Sequence, residues 1–260
     1  MTKDPAFPSN TAQKASPSYR LPALDSDFLL GDSARGVRFM LEYQKSEEML
    51  RAWGVATTIV VFGSARIARG SHWYEEARAF GHLVSERGGA KLNNGDMRQN
   101  VIATGGGPGI MEAANRGAYD AGAPSIGFNI TLPHEQEPNP YSTPELTFRF
   151  HYFAMRKMHL AMRANALIAF PGGFGTFDEL FEILTLRQTG KMPNIPIALV
   201  GREFWTKVIN FEALVEFGVV SSDDLKLFTI TDTAEETWAA ITSHGLKSKL
   251  DWEHVVKGDR

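Results

Sequence analysis

Residues 166–170 read Ala-Leu-Ile-Ala-Phe, and Pro171-Gly172-Gly173-Phe174-Gly175-Thr176-Phe177-Asp178-Glu179 follows directly. The apolar run predicts a buried strand ending at Phe170, Gly172, Gly173 and Gly175 allow a sharp turn, and a helix is expected from about Thr176. A strand, a glycine loop and a helix in that order point unpaired backbone N–H groups, at the positive end of a helix dipole, at whatever lies above them. That is an anion site, most naturally for phosphate. Glu179 falls about one turn into the helix, beside the anion but outside its cradle. An acid there does not help binding, which suggests chemistry on something attached to the phosphate. The competing reading is a tight connection whose glycines serve only backbone geometry. The loop lacks the Gly-Lys-Ser/Thr ending of a P-loop and is not Gly-x-Gly-x-x-Gly.

Outward from this junction the same alternation recurs. Strands are expected at 57–62, 101–104, 125–130, 195–200 and 228–230. Helices are expected at 72–87, 110–121, from Phe148 or His151 to Asn165, at 176–189, at 203–217 and from about Thr233. This order predicts an α/β fold with a doubly wound parallel sheet, Rossmann-like and nucleotide-binding. Residues 33–53 read as an extra amphipathic N-terminal helix outside the main sheet, with Val37, Met40, Leu41 and Leu50 among its apolar positions. Residues 21–260 are expected to form one domain. Residues 1–20, polar and proline-bearing with no apolar signal core, are expected to be a loose tail.

Ligands in such sheets sit beyond the carboxyl ends of the strands. Gly63-Ser64, Gly105 to Gly109 and Gly172 to Thr176 all fall there, which predicts a nucleotide-sized pocket that includes Gly105, Gly106 and Gly107. A dinucleotide is disfavoured, because Gly105-Gly106-Gly107-Pro108-Gly109-Ile110 breaks the fingerprint and the acid expected about twenty positions on is missing. One phosphate and one ribose fit better.

The formal charge of −3 gives no case for a nucleic-acid polymer as partner. No run approaches the roughly 20 apolar residues of a membrane span. With no cysteine, disulfides, thiol catalysis and Cys-ligated zinc are excluded, in keeping with a cytoplasmic protein. The histidines His72, His82, His134 and His151 show no metal-ligand spacing. Arg149, Arg156 and Arg163, spaced by seven with His159 beside them, are expected on one helical face. In the proline-rich stretch 132–144, a candidate active-site loop, Glu135 and Glu137 either reach the pocket or are solvated.

Taken together, these residues resemble the LONELY GUY (LOG) family, also called possible lysine decarboxylases. The family motif Pro-Gly-Gly-x-Gly-Thr-x-x-Glu is met in full by Pro171, Gly172, Gly173, Gly175, Thr176 and Glu179. Of Met-x-x-Arg-Lys, the chain keeps Arg156-Lys157 with Phe153 in the Met position, and its Gly105-to-Met111 element is one residue shorter than the family's. The resemblance covers about residues 55–245, and the stretch His134 to Pro138 looks like the longer bacterial branch.

The resemblance implies hydrolysis of the N-glycosidic bond of nucleoside 5′-monophosphates, cytokinin riboside monophosphates or AMP, to free base and ribose 5-phosphate. It implies that Arg156 and Glu179 are catalytic, that Gly172 to Thr176, Phe174 included, hold the 5′-phosphate, and that Lys157 and Glu135 help bind the nucleotide. It also implies a homodimer or higher homo-oligomer and no required cofactor. Nothing marks a lysine for a pyridoxal phosphate Schiff base, so the decarboxylase name finds no support. The alternatives are a nucleotide or molybdenum cofactor carrier without turnover, and a salvage nucleosidase of the same chemistry but broader base choice.

Overall fold

A computed structural model describes residues 9–91, 97–132 and 137–246. They fall into two compact units, one ending at Gln44 and the other beginning at Lys45. In the first, α1 (Thr11–Ala15) and α2 (Ser26–Leu30) are single turns, and α3 (Arg35–Ala52) runs on into the second. Asp25 caps α2 by accepting from Phe28 N at 3.2 Å, and Arg38 donates to the carbonyls of Leu29 and Gly31 at 2.8 and 2.6 Å. Val37, Met40 and Leu41 are exposed, whereas Leu50 is fully buried.

The second unit holds seven strands among the described residues: β1 (Thr58–Phe62), β2 (Val101–Thr104), β3 (Ser125–Ile130), β4 (Thr147–Phe150), β5 (Ala164–Ala169), β6 (Ile197–Val200) and β7 (Thr229–Thr231). All pair in parallel, in the order β4-β3-β2-β1-β5-β6-β7. Every residue of β1, β2, β5 and β6 is buried, as expected for central strands covered on both faces. The helices between them are α4 (His72–Arg87), α5 (Ile110–Asp120), α6 (Phe153–Met162), α7 (Phe174–Gln188), α8 (Arg202–Val208) and α9 (Phe211–Glu216), and α10 (Ala234–Ser243) follows β7. One apolar cluster on a face of the sheet joins β1 through Ile59 and Val61 to α4 and α5; the other joins Val60 and Phe62 to Leu160 of α6, Leu180 of α7 and Trp205 of α8. No helix among the described residues is long and apolar enough to cross a membrane.

The doubly wound parallel sheet matches expectation, with two corrections. Thr147 to Phe150 is not helical. It is an edge strand in register with Gly127 to Ile130, because Thr-Phe-Arg-Phe alternates with period two and buries Phe148 and Phe150 while Arg149 points out. Arg149 therefore lies in β4, Arg163 follows the end of α6, and of the three spaced arginines α6 carries Arg156 alone. The expected helix 203–217 is two helices, since Asn210 interrupts it and its side chain accepts from Ala213 N at 3.1 Å to start α9.

The sheet places the site. Chain order runs outward from β1 through β2 to β4 on one side, then returns to β5 on the other. The connections therefore diverge between β1 and β5, and this switch point is where open α/β sheets leave a crevice.

Candidate active site at the switch point

Three loops of backbone build this crevice. After β5, Gly173 carries extended backbone (φ −99°, ψ −155°) and its carbonyl accepts from Thr176 N and Phe177 N at 2.9 and 3.1 Å, which starts α7 at Phe174. Helix α7 thus begins two residues earlier than the sequence suggests. A Cβ on Gly172 would come within 2.1 Å of Thr176 Oγ1, so only glycine lets the buried threonine fold back on the loop. Over Gly173 and Gly175 a Cβ would meet nothing within 4 Å. The amides of Gly173, Phe174 and Gly175 find no protein acceptor among the described residues. Amides without a protein acceptor at a helix start are what an anion cradle requires.

The neighbouring loops are locked to this one through backbone. Ser64 N, just past β1, donates to Pro171 O at 2.9 Å, and Ser64 O accepts from Ile110 N at 3.1 Å. Gly109, at φ +68°, lets the third loop pass where a Cβ would lie 2.3 Å from Ser64 O. Behind it, buried Asn115 accepts from Thr104 Oγ1 at 2.7 Å and from Asn139 Nδ2 at 3.0 Å. Asn139 also bonds the carbonyls of Gly106 and Gly107, at 2.8 and 3.2 Å. Gly106 and Gly107 are thus held by the segment that follows residue 136.

These loops enclose a cleft of about 840 Å³, lined by Ser64, Arg66, Trp73, Gly105, Met111, Arg156, Phe204 and the stretch Pro171 to Phe177. Gly105, Arg156, Gly172, Gly173, Phe174, Gly175 and Thr176 are thus brought together as expected, whereas Gly106 and Gly107 do not line the cleft. Glu135 lies outside the described residues. Glu137 is exposed and borders a separate hollow with Asn129 and Arg149. Arg66, Trp73 and Phe204 line the cleft without belonging to any motif. Only Arg66 had a sequence signal, its place in the stretch Gly63-Ser64-Ala65-Arg66 at the end of the first strand.

Arg156 lines the cleft, and Glu179, which is buried and does not line it, is its partner. Arg156 Nη2 donates to Glu179 Oε1 at 3.2 Å, and the guanidinium lies 5.2 Å over the Phe153 ring. The Arg156 Nε is buried and has no hydrogen-bond partner among the described residues. Glu179 is 2 % exposed, and burial pushes its carboxyl up to about 7, against the pull of Arg156 and then Lys157. Lys157 turns instead to Asp178 and Glu182, at 2.9 and 2.7 Å. Burial alone would lower its pKa, but those two hydrogen bonds outweigh it and hold the ammonium above its usual range. A carboxylate that is costly to ionise, touching an arginine that lines an anion-seeking cleft, can stabilise positive charge developing on a bound ligand.

Residues 111–241, half of the chain, match the family model described as "Possible lysine decarboxylase". The chain belongs to this family, the LOG family. A probable cytokinin riboside 5′-monophosphate phosphoribohydrolase, LOG4 of Oryza sativa subsp. japonica, is 26% identical over 193 residues, covering 73% of this chain and 78% of its own. LOG of the same plant is 28% identical over 181 residues, 68% of this chain and 69% of that one. LOG2 of Arabidopsis thaliana is 24% identical over 207 residues, 76% of this chain and 91% of that one. Among solved structures, the X-ray structure of TM1055 shares the fold at a TM-score of 0.50 and 22% identity, over 72% of this chain and 99% of that one. A molybdenum cofactor carrier protein from Chlamydomonas reinhardtii matches at a TM-score of 0.49 and 24% identity, over 74% and 99%, too loose a likeness to carry an argument.

Proposed function

We propose that this LOG-family protein hydrolyses the N-glycosidic bond of nucleoside 5′-monophosphates, releasing the free base and ribose 5-phosphate. The observation that carries this reading is the 3.2 Å contact between Arg156 and the buried Glu179 beneath an amide-lined cleft, a pairing that a pure carrier has no need to keep. The relatives' names add that proteins 24–28% identical act on cytokinin riboside 5′-monophosphates.

The chemistry follows from the bond. As the C1′–N bond breaks, the sugar becomes oxocarbenium-like, and ionised Glu179 offsets the growing positive charge. Water adds its oxygen to C1′ while a proton goes to the departing base, and Glu179 orients that water. Arg156 holds the substrate and supports departure of the base by hydrogen bonding. It stays protonated and is no simple proton donor. The amides of Gly173 to Gly175 and the Thr176 side of the loop fix the phosphate, and this remote binding holds C1′ over the pair. The cysteine-free chain is in keeping with work in the cytoplasm. It works as a homodimer or larger homo-oligomer.

Incubation with AMP and with isopentenyladenosine monophosphate, following free base by liquid chromatography, tests the reading. Base release by the wild type, with Glu179→Gln slower by a factor on the order of 10² to 10⁴, is the expected result. Nucleotide binding without release would overturn it in favour of a carrier. The ratio of the two rates assigns the base preference, between cytokinin activation and purine salvage.

A further inference from the structure

The loop after β1 carries two arginines with opposite commitments. Arg69 is held by Glu112, Nε to Oε1 at 2.6 Å. Arg66 is exposed along the cleft wall and forms no ion pair among the described residues. Its backbone is nevertheless fixed, since Arg66 N donates to Ser64 Oγ at 3.0 Å and Ser64 is bonded to both Pro171 and Ile110. The root of this side chain is thus tied to the residue that opens the phosphate cradle.

Among the described residues the other charged group lining the cleft is Arg156, already engaged by Glu179. A phosphate monoester brings a charge of about −1.5 to −2 at neutral pH. Amides at a helix start supply partial charges only. A dianion in this cleft therefore calls for a cation whose charge is not already matched, and Arg66 fits that need. Its planar fork suits two phosphate oxygens at once. The competing reading is a rim arginine that stays in solvent and contributes little.

We propose that Arg66 is a phosphate-binding residue, its guanidinium pairing with the phosphate oxygens of the substrate in the cleft it lines together with Gly173 to Gly175. The proposal rests on the nucleoside 5′-monophosphate reading for the identity of the substrate, but its first test needs no turnover. Ribose 5-phosphate is titrated calorimetrically into the wild type, Arg66→Ala, Arg66→Lys and, as a control for loss of one nearby charge, Arg69→Ala. KM and kcat for AMP are then measured on the same proteins.

The expected result is a roughly tenfold to hundredfold loss of ribose 5-phosphate affinity in Arg66→Ala, partly restored by Lys and absent in Arg69→Ala. KM for AMP rises by a similar factor and kcat falls far less, as when binding common to ground and transition states is removed. Equal affinity in the wild type and Arg66→Ala, or no binding by the wild type, overturns the proposal. Loss of ribose 5-phosphate binding in Arg66→Ala, with no base released from AMP by the wild type, would uphold Arg66 and overturn the hydrolase reading instead.

Discussion

Glu179 is held in a place that costs the fold and that the proposed chemistry would use. Its pKa is raised to about 7 because burial opposes the charge, so near neutral pH protein and proton compete for the same oxygen. If the ionised form is the working one, kcat/KM rises with pH up to about 7 and levels off above. The substrate's own phosphate titrates near pH 6, and comparison with Glu179→Gln, which lacks the Glu179 limb, separates the two. Identical inflections in the wild-type and Glu179→Gln profiles would remove Glu179 from the mechanism. Stability carries the opposite sign. Between about 4.5 and 7 the folded chain retains a proton on Glu179 that the unfolded chain has released, so this residue's contribution to stability is lost as pH rises through that window. Glu179→Gln keeps a partner for Arg156 without the charge. Its Tm at pH 8 is expected at or above that of the wild type even as turnover collapses. A clearly lower Tm at pH 8 would show instead that the ion pair with Arg156 stabilises the fold.

At the scale of elements, the junction between β5 and α7 carries the most constraint. Gly172→Ala would force a methyl to within 2.1 Å of Thr176 Oγ1, and buried Thr176 has little room to yield. The loop must shift, at a cost on the order of 1–3 kcal/mol. The open amides move with it, so KM for AMP should rise at least about tenfold as the urea midpoint falls. An unchanged KM would mean the cradle is not where phosphate binds. This junction was legible in the sequence because glycine, threonine and an apolar run each have one local cause. β2 and β3 were legible for the same reason, with ends as expected. β4 was not: four residues of Thr-Phe-Arg-Phe are too short to compete with an arginine spacing of seven that mimics a helix face, and only pairing with β3 decides between them. The long helix expected at 203–217 failed at Asn210, where a polar side chain inside an apolar periodic stretch favoured a new N-cap over continuation. The Asn115–Asn139 link was illegible for another reason. Single asparagines 24 positions apart carry no periodic signal, yet the fold makes them one buried network behind Gly106 and Gly107.

Across the molecule, strand order alone brings the ends of β1 and β5 together, so the stretch 171–177 and a loop at 63–66 share a cleft although about a hundred residues separate them. That convergence followed from reading the chain as alternating strands and helices. The residue content of the cleft wall did not, because Trp73 and Phe204 are placed by packing rather than by motif. The same convergence leaves a surface to account for. Phe153 and Met162 on α6, and Phe174 and Phe181 on α7, are all exposed, Phe174 to 92 %, and Lys157, Phe174, Phe177 and Phe181 border a hollow of about 550 Å³. Apolar side chains gathered beside a cleft are costly in water and are commonly covered by another protein surface. A second copy of this chain is the occupant expected from the proposed homo-oligomer. Light scattering on the eluting protein should then give a mass at least twice 28.7 kDa. Phe181→Glu, which puts a charge in the middle of this face, should move the mass towards 28.7 kDa without unfolding the chain, since Phe181 is already partly in solvent. A monomeric wild type would overturn the oligomer, whereas an oligomer indifferent to Phe181→Glu would move the interface to another face.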